Sequence, residues 1–411
     1  MLTKDQVLKI REDFKYLNLN DKELIYFDNA ATSQKPNRVI ESLDEYYSYE
    51  NGNPHRGAHY LAMKSTEVYE NSRDKIASFI NASSNEIVFL RNATEALNLI
   101  AYSWALNNLT ENDEILISIM EHHSNLVTWQ YVSKKTGAKL KYLYLDDNKQ
   151  ITEEEFNSKI SKNTKLFSIT AASNVVGTMP NVKEMIKKAK KINPEIVTVV
   201  DAAQFAPHHK VDVADIDCDF LVFSGHKMLS AMGIGVLYGK EELLNSIDPF
   251  LYGGDMIEYV YEDKSTYLNS PQRFEAGTQN VGGAKSLAVA IEYIEEIGID
   301  NIYEYEAALT TYAYEKMEKL SYIDIYTTKD THRSPVLAFN FKDAHPHDVA
   351  SILDNYGIAI RSGHHCAQPL HRNLGINFSC RASFAFYNTF EEIDYFIEHL
   401  EDVRRLMGIE S

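Results

Sequence analysis

The sequence predicts an α/β fold, a large unit on a mainly parallel central sheet followed by a smaller α+β unit at the C-terminal end. Three observations carry this expectation. From about residue 85 to 240, short β-branched runs alternate with helical patterns, as successive βαβ units do. A long apolar helix pattern, "VGGAKSLAVAIEYIEEIG" (281–298), then closes on a glycine. Beyond it the texture changes to a helix, three strand patterns and a last helix.

Taken in order, "MLTKDQVLKIREDF" (1–14) spaces Leu2, Val7, Leu8, Ile10 and Phe14 for one face of a short amphipathic helix. It lacks the apolar core and cleavage site of a signal peptide. Strands are expected at "EIVFL" (86–90), "EILISIM" (114–120), "KLFSITAAS" (165–173), "EIVTVVDAA" (195–203), "FLVFS" (220–224) and "IGVLYG" (234–239). Helices are expected between several of them, as at "EALNLIAYSWAL" (95–106) and "NVKEMIKKAKKI" (181–192). Strands at "SPVLAFNF" (334–341), "GIAIR" (357–361) and "CRASFAFYN" (380–388) precede a helix at 389–407. Segments 48–60 and 250–272 read as long irregular loops of the kind that are functional or disordered. The expected units are therefore 21–298 and 299–411, the second taking in residues 1–20.

Over 411 residues, 41 basic against 59 acidic side chains give a formal charge of −18. That argues against nucleic acid or an anionic membrane as the main partner. No apolar run approaches the 18 or more residues of a membrane span. Cys218, Cys366 and Cys380 lie far apart without a C-x-x-C pair. They form no disulfide framework, so a reducing cytoplasm is expected.

Open parallel sheets bind ligands at the carboxyl ends of their strands. Just past the expected strands stand "RNATEALNL" at a helix start, His122 in "EHHSN", Asn174, Asp201 with Gln204, and Ser224-Gly-His226-Lys227. Together they suit pyridoxal phosphate. A lysine amine holds the aldehyde as a Schiff base and moves protons at the substrate Cα. A carboxylate such as Asp201 keeps the pyridine nitrogen protonated, and an imidazole such as His122 stacks on the ring. Backbone N–H groups at "NATEA", with Thr94, Ser224 and His226, make an anion cradle.

The motifs "FDNAATSQKP" (27–36), "HRGAH" (55–59), "EHHSNLVTWQ" (121–130), "DCDFLVFSGHKM" (217–228), "RFEAGTQN" (273–280), "RSGHHCAQPL" (361–370) and "CRASFAFYNT" (380–389) are similar to those of SufS-type (group II) cysteine desulfurases. These are class V aminotransferase relatives with the fold-type I pyridoxal-phosphate architecture. The resemblance implies Lys227, Cys366 and His122 as catalytic residues, with Lys227 the Schiff-base lysine and Cys366 the sulfur-accepting nucleophile. It implies Ala93, Thr94, His122, Asp201, Gln204, Ser224, His226 and Lys227 around the cofactor, with Thr278 reaching the phosphate from the other subunit of a homodimer. It places the substrate, L-cysteine, against Asn174, Arg381, Arg361, Ala30, His55 and Arg56. His364 and His365, with Arg361, are expected to lower the Cys366 thiol pKa, and His347, His364 and His365 to meet a persulfide acceptor. "HPHDVA" (345–350) resembles the version found with zinc-containing SufU-type acceptors rather than SufE-type ones. A zinc site in "GHHC" is the alternative, disfavoured because the spacing is too tight for all three side chains to reach one ion. Selenocysteine lyase or cysteine sulfinate desulfinase activity on the same scaffold, and a non-catalytic assembly scaffold, remain alternatives.

One stretch departs from the family pattern. Where Gly-Pro usually follows the lysine, this chain has Ser230-Ala231-Met232. The expectation is a loop of altered rigidity: either it takes a different turn, or Ser230 holds a conformation that costs about 1 kcal/mol.

Overall fold

The runs Ile87–Leu90 and Phe220–Ser224 are buried at every position, as strands covered on both faces must be. The computed structural model, which describes residues 1–18 and 24–408, places them in one seven-stranded sheet. Across the sheet the order is Ile87–Leu90, Gly235–Gly239, Phe220–Ser224, Val197–Asp201, Thr164–Thr170, Glu114–Ser118 and Lys139–Leu143. Gly235–Gly239 runs antiparallel to both neighbours and the other pairings are parallel. All six expected strands are present. Lys139–Leu143 is the unexpected seventh; in its "KLKYL" pattern Lys139 is exposed at the sheet edge and Lys141 pairs with Glu114 of the neighbouring strand at 2.9 Å.

A four-stranded antiparallel sheet follows, in the order Ile323–Ile325, Val336–Phe341, Ser379–Ser383, Arg361–Gly363. The single strand expected at 357–361 is two. Ile358–Ala359 pairs in parallel with Ile25–Tyr26, whereas Arg361–Gly363 crosses to Ser379–Ser383. The expected loop 250–272 contains an exposed hairpin, Ile257–Val260 with Ser265–Tyr267. The N-terminal helix Lys4–Arg11 is closed by a Thr3 capping box. It buries Val7 while Leu8 stays exposed, so the expected apolar face is one residue narrower. Arg11 donates to the Tyr387 carbonyl at 2.6 Å and pairs with Glu392 at 2.8 Å, tying this helix to the last one, Phe390–Leu406. The unit boundary expected between residues 20 and 21, and the terminus 409–411, lie outside the described residues.

One buried ion pair fixes the front of the large sheet. Arg73, on helix Tyr60–Phe79, holds Glu275 through Nη1 at 2.7 Å and Nη2 at 2.8 Å, both side chains being 1% exposed. Glu275 also accepts from the Phe89 amide and the Tyr69 hydroxyl, and Arg73 donates to the Ile87 carbonyl. Breaking a satisfied buried pair from one side costs roughly 3–5 kcal/mol. Arg73→Met should therefore lower the denaturant midpoint by an amount in that range. Arg73→Met combined with Glu275→Gln should recover part of the loss.

Candidate active site

The lysine turn is shaped by what surrounds it. After Phe220–Ser224 the chain makes one tight turn, Gly225–Lys227, closed by Met228 and Ser230 amides on the Gly225 carbonyl. A Cβ at Gly225 would lie 2.7 Å from Ile234 Cγ2 and 3.0 Å from its carbonyl oxygen. The His226 carbonyl accepts from Thr32 Oγ1, Ser33 N and Lys35 Nζ, so the "NAATSQK" segment grips the turn from the other side. Part of the Lys227 side chain faces a cavity of about 510 Å³ at the strand ends. Burial nevertheless pushes its pKa down to about 8, against the opposing pull of Asp201.

The expected strain is elsewhere in this loop. Leu229, not Ser230, takes the left-handed conformation, with φ 62°. Ser230 is fully buried, and its hydroxyl donates to Ser286 Oγ at 2.8 Å, because the Ser286 proton is directed to Gly283. The departure from Gly-Pro is thus compensated by an anchor to helix Val281–Ile297.

Around the cavity stand Ala93, Thr94, His122, Asp201, Gln204, Ser224, His226 and Lys227, as expected. The Ala93 amide donates to Ser224 Oγ at 2.9 Å, and Thr94 Oγ1 meets Ser124 Oγ at 2.7 Å. This cradle exists because residue 235 is glycine: a Cβ there would lie 2.4 Å from Asn92 Cα. Asp201 is buried, which raises its pKa, and Oδ1 accepts from the Ala203 amide. Gln204 donates to the Ala30 carbonyl at 2.7 Å. His122 caps helix His123–Thr136, with Nδ1 accepting from the Ser124 amide, so the ring proton sits on Nε2. Burial and the nearby Lys227 amine push its pKa down to about 3, and the ring is neutral at physiological pH. Behind it, buried Glu121 accepts from Ser118, Asn125 and the Thr170 amide, locking the helix start to two strand ends. A buried amine opposite a carboxylate, a neutral imidazole and a cradle of hydroxyl and amide donors fit the aldehyde, ring and phosphate of pyridoxal phosphate.

Arg361, Arg381, Asn174, Ala30 and Cys366 line the same cavity. Both arginines converge on Asp28, which the sequence reasoning passed over within "FDNAAT". Arg361 Nε lies 3.1 and 3.0 Å from its two oxygens, and Arg381 Nη2 lies 3.1 Å from Oδ1. Arg381 Nη1 donates to the Asn174 carbonyl, while its buried Nε has no partner. Two neighbouring guanidiniums in one cavity call for a resident acid, a signal that could have singled out Asp28.

Cys366 is exposed, on a loop whose His365 and Cys366 both take left-handed φ, 49° and 55°. Asn174 Nδ2 donates to the His365 carbonyl and the His123 amide to the Cys366 carbonyl, each at 2.7 Å. His365 is 7% exposed, with Nε2 on Ser379 at 3.0 Å, and burial beside Arg381 pushes its pKa to about 2. It is neutral and inward, which corrects two expectations: it carries no positive charge to the thiol, and it presents no surface to an acceptor. The half-buried His364 ring lies 4.5 Å from Phe378 and 6.0 Å from His371, and the His365 ring lies 5.7 Å from the same His371.

His55, Arg56, Thr278, His347 and His364 are not among the cavity residues of this chain. His55 bonds Glu70 at 2.8 Å and Arg56 pairs with Asp255 at 2.7 Å, which holds both away from the substrate position expected for them. Thr278 and His347 are exposed.

The sequence pattern of the Aminotransferase class-V family matches residues 25–396. This chain belongs to that family. It is 47% identical over 404 residues to a probable cysteine desulfurase of Synechocystis sp., covering 97% of this chain and 96% of that one. It is 42% identical to a cysteine desulfurase of Haloferax volcanii, covering 94% and 90%. The apo structure of a cysteine desulfurase from Thermococcus onnurineus superposes with a TM-score of 0.93 at 41% identity, covering 98% and 99%. The cysteine desulfurase CsdA of Escherichia coli gives 0.90 at 36%, covering 97% and 98%. The central mixed sheet is that of the fold-type I architecture expected from sequence.

The lowered Lys227 pKa has a direct consequence. Only the neutral amine attacks an aldehyde, and its fraction grows as pH rises through the folded value. Capture of pyridoxal phosphate by apoprotein, followed by absorbance, should therefore accelerate with a midpoint near about 8 rather than near the 10.5 of a free lysine. Asp201→Asn removes the charge that holds the ammonium, so the midpoint should fall further.

Proposed function

We propose that this protein is a cysteine desulfurase of the group II, SufS-type subclass, acting in the cytoplasm as a homodimer. It removes sulfur from L-cysteine, releases L-alanine and carries the sulfur as a persulfide on Cys366. The observation that supports this most is the pairing, in one cavity, of the Lys227–Asp201 pair with an exposed thiol and a two-arginine clamp. Among the described residues no helix is long and apolar enough to cross a membrane.

Pyridoxal phosphate, when bound, supplies the electron sink that makes the substrate Cα proton removable. Lys227 would hold it, with Asp201 to pair the ring nitrogen, Gln204 the phenolic oxygen and neutral His122 the ring face. Ala93, Thr94, Ser224 and His226 would take the phosphate, with Thr278 completing the cradle from the partner chain. Arg381, Arg361 and Asn174 hold the substrate carboxylate, which shares the guanidiniums with Asp28. Lys227 takes the Cα proton. The Cys366 thiolate attacks the substrate sulfur, forming the S–S bond as the carbon–sulfur bond breaks, and its electron pair stays with the carbon fragment that becomes alanine on protonation.

The persulfide passes to an acceptor of the zinc-bearing SufU type for iron–sulfur cluster assembly. Support comes from the surface between the two histidine motifs. His345 caps helix Pro346–Asn355, leaving His347 exposed in its first turn, and the His345 ring lies 5.3 Å from Phe378, which packs on His364. The element "HPHD" and the cysteine loop thus share one face.

Without acceptor, alanine should appear as a burst of about one equivalent per site and then slowly, as expected of a covalent sulfur carrier that must be cleared. Cys366→Ala should abolish the burst from cysteine; turnover of selenocysteine alone by that variant identifies a lyase capacity on the same scaffold. Full cysteine turnover by Cys366→Ala defeats the desulfurase reading. His347→Ala should keep the burst and lose the stimulation given by a SufU-type acceptor.

A further inference from the structure

Arg361 and Arg381 stand directly opposite one another across the antiparallel pair of Arg361–Gly363 with Ser379–Ser383. Like charges in that relation are destabilising. Both arginines nevertheless line the large cavity. The fold meets the conflict by bringing in a third segment. The Phe27 amide donates to the Ala359 carbonyl, two residues before Arg361, and Asp28 is bridged in parallel to Ser383, two residues after Arg381. Backbone pairing on both sides thus brings the Asp28 carboxylate to both guanidiniums.

The bonding is uneven. Arg361 uses only Nε, at 3.1 and 3.0 Å from the two Asp28 oxygens, so among the described residues its Nη1 and Nη2 meet no protein acceptor. Its side chain is 48% exposed, against 2% for Arg381 and 16% for Asp28. Arg381 gives Nη2 to Asp28 Oδ1 and Nη1 to the Asn174 carbonyl. Asp28 is not among the residues lining the cavity, so it acts on a ligand there through the arginines. The other charges on the cavity wall are offset in place. Lys227 has Asp201, Arg91 pairs with Glu95 at 2.8 Å, and His122, His226 and His365 are neutral. Two guanidiniums and one carboxylate therefore leave a single net positive charge.

We propose that Asp28 is a positioning residue that sets the charge of this clamp: it leaves one net positive charge for the one carboxylate of an α-amino acid, and so limits how tightly substrate and product are held. The inference rests on the reading of Arg361 and Arg381 as the holders of the substrate carboxylate. Removing a purely structural acid would loosen the arginines and weaken ligand binding. Removing a charge-setting acid does the opposite, because the ligand no longer shares the guanidiniums with a second anion.

The test is calorimetric titration of holoenzyme with L-alanine, the product of the proposed reaction, together with steady-state kinetics on L-cysteine. Asp28→Asn keeps an oxygen for both arginines and removes the charge. It should bind alanine several-fold tighter than wild type and lower KM for cysteine without raising kcat, as uniform binding does. Arg361→Gln, at the half-exposed position, leaves one guanidinium against Asp28 and should weaken alanine binding several-fold. Adding Asp28→Asn to Arg361→Gln should recover most of that loss, since one positive charge is free again. The double variant no longer holds two guanidiniums side by side, so it reads the charge even where Asp28→Asn alone is too unstable to purify. Weaker or unchanged alanine binding in Asp28→Asn, or no recovery in the double variant, overturns the proposal. If wild-type protein binds alanine but makes none from cysteine, the desulfurase reading fails while the binding comparison still decides the role of Asp28.

Discussion

A primary amine placed among apolar strand ends loses hydration that its charged form needs, and the loss must be met by a counter-charge or by neutrality. Lys227 meets it halfway. Asp201 pulls the ammonium up while burial pulls it down, leaving a value of about 8, where both forms are accessible near neutral pH. The surroundings follow from this constraint. A neutral His122 adds no positive charge beside the amine. The donors on the His226 carbonyl fix where the lysine starts, and Gly225 and Gly235 let neighbouring backbone come close enough to hold it.

The same logic runs from Arg381 to the nucleophile. Asp28 pairs with two guanidiniums and offsets one of their charges, Arg381 bonds the Asn174 backbone, and the Asn174 side chain bonds the backbone of the cysteine loop. Arg361, Arg381 and the loop that carries Cys366 are therefore parts of one hydrogen-bonded chain. A shift at the clamp reaches Cys366 through a single side chain.

Much of this was legible in the sequence because strand ends in a parallel sheet converge by topology. Five parallel strands with polar residues at their ends place Asp201, Ser224 and Lys227 together, and the cavity collects them. What stayed hidden depends on distant partners. Lys139–Leu143 looks too charged for a strand until its position at the sheet edge is known. His365 reads as a solvated loop residue, and only the arrival of Ser379 across the small sheet turns it inward. Leu229, not Ser230, takes the left-handed conformation, and the Ser230 hydroxyl is held by Ser286, on a helix 56 residues away. Local sequence carries no signal of such contacts.

The cysteine loop shows how the fold holds its nucleophile without freezing it. Two adjacent non-glycine residues in the left-handed region cost roughly 1–2 kcal/mol each. The bonds from Asn174 and from the His123 amide offset that cost, and the Gln368 amide adds a third on His123 Nε2. All three act on backbone or on neighbouring side chains, and none engages the thiol. Sγ is thus free to react at the end of a backbone that has little freedom to travel. Beside that loop His345 is exposed, with the half-buried Phe378 ring packed between it and the half-buried His364, so an aromatic face adjoins the open end of the cavity.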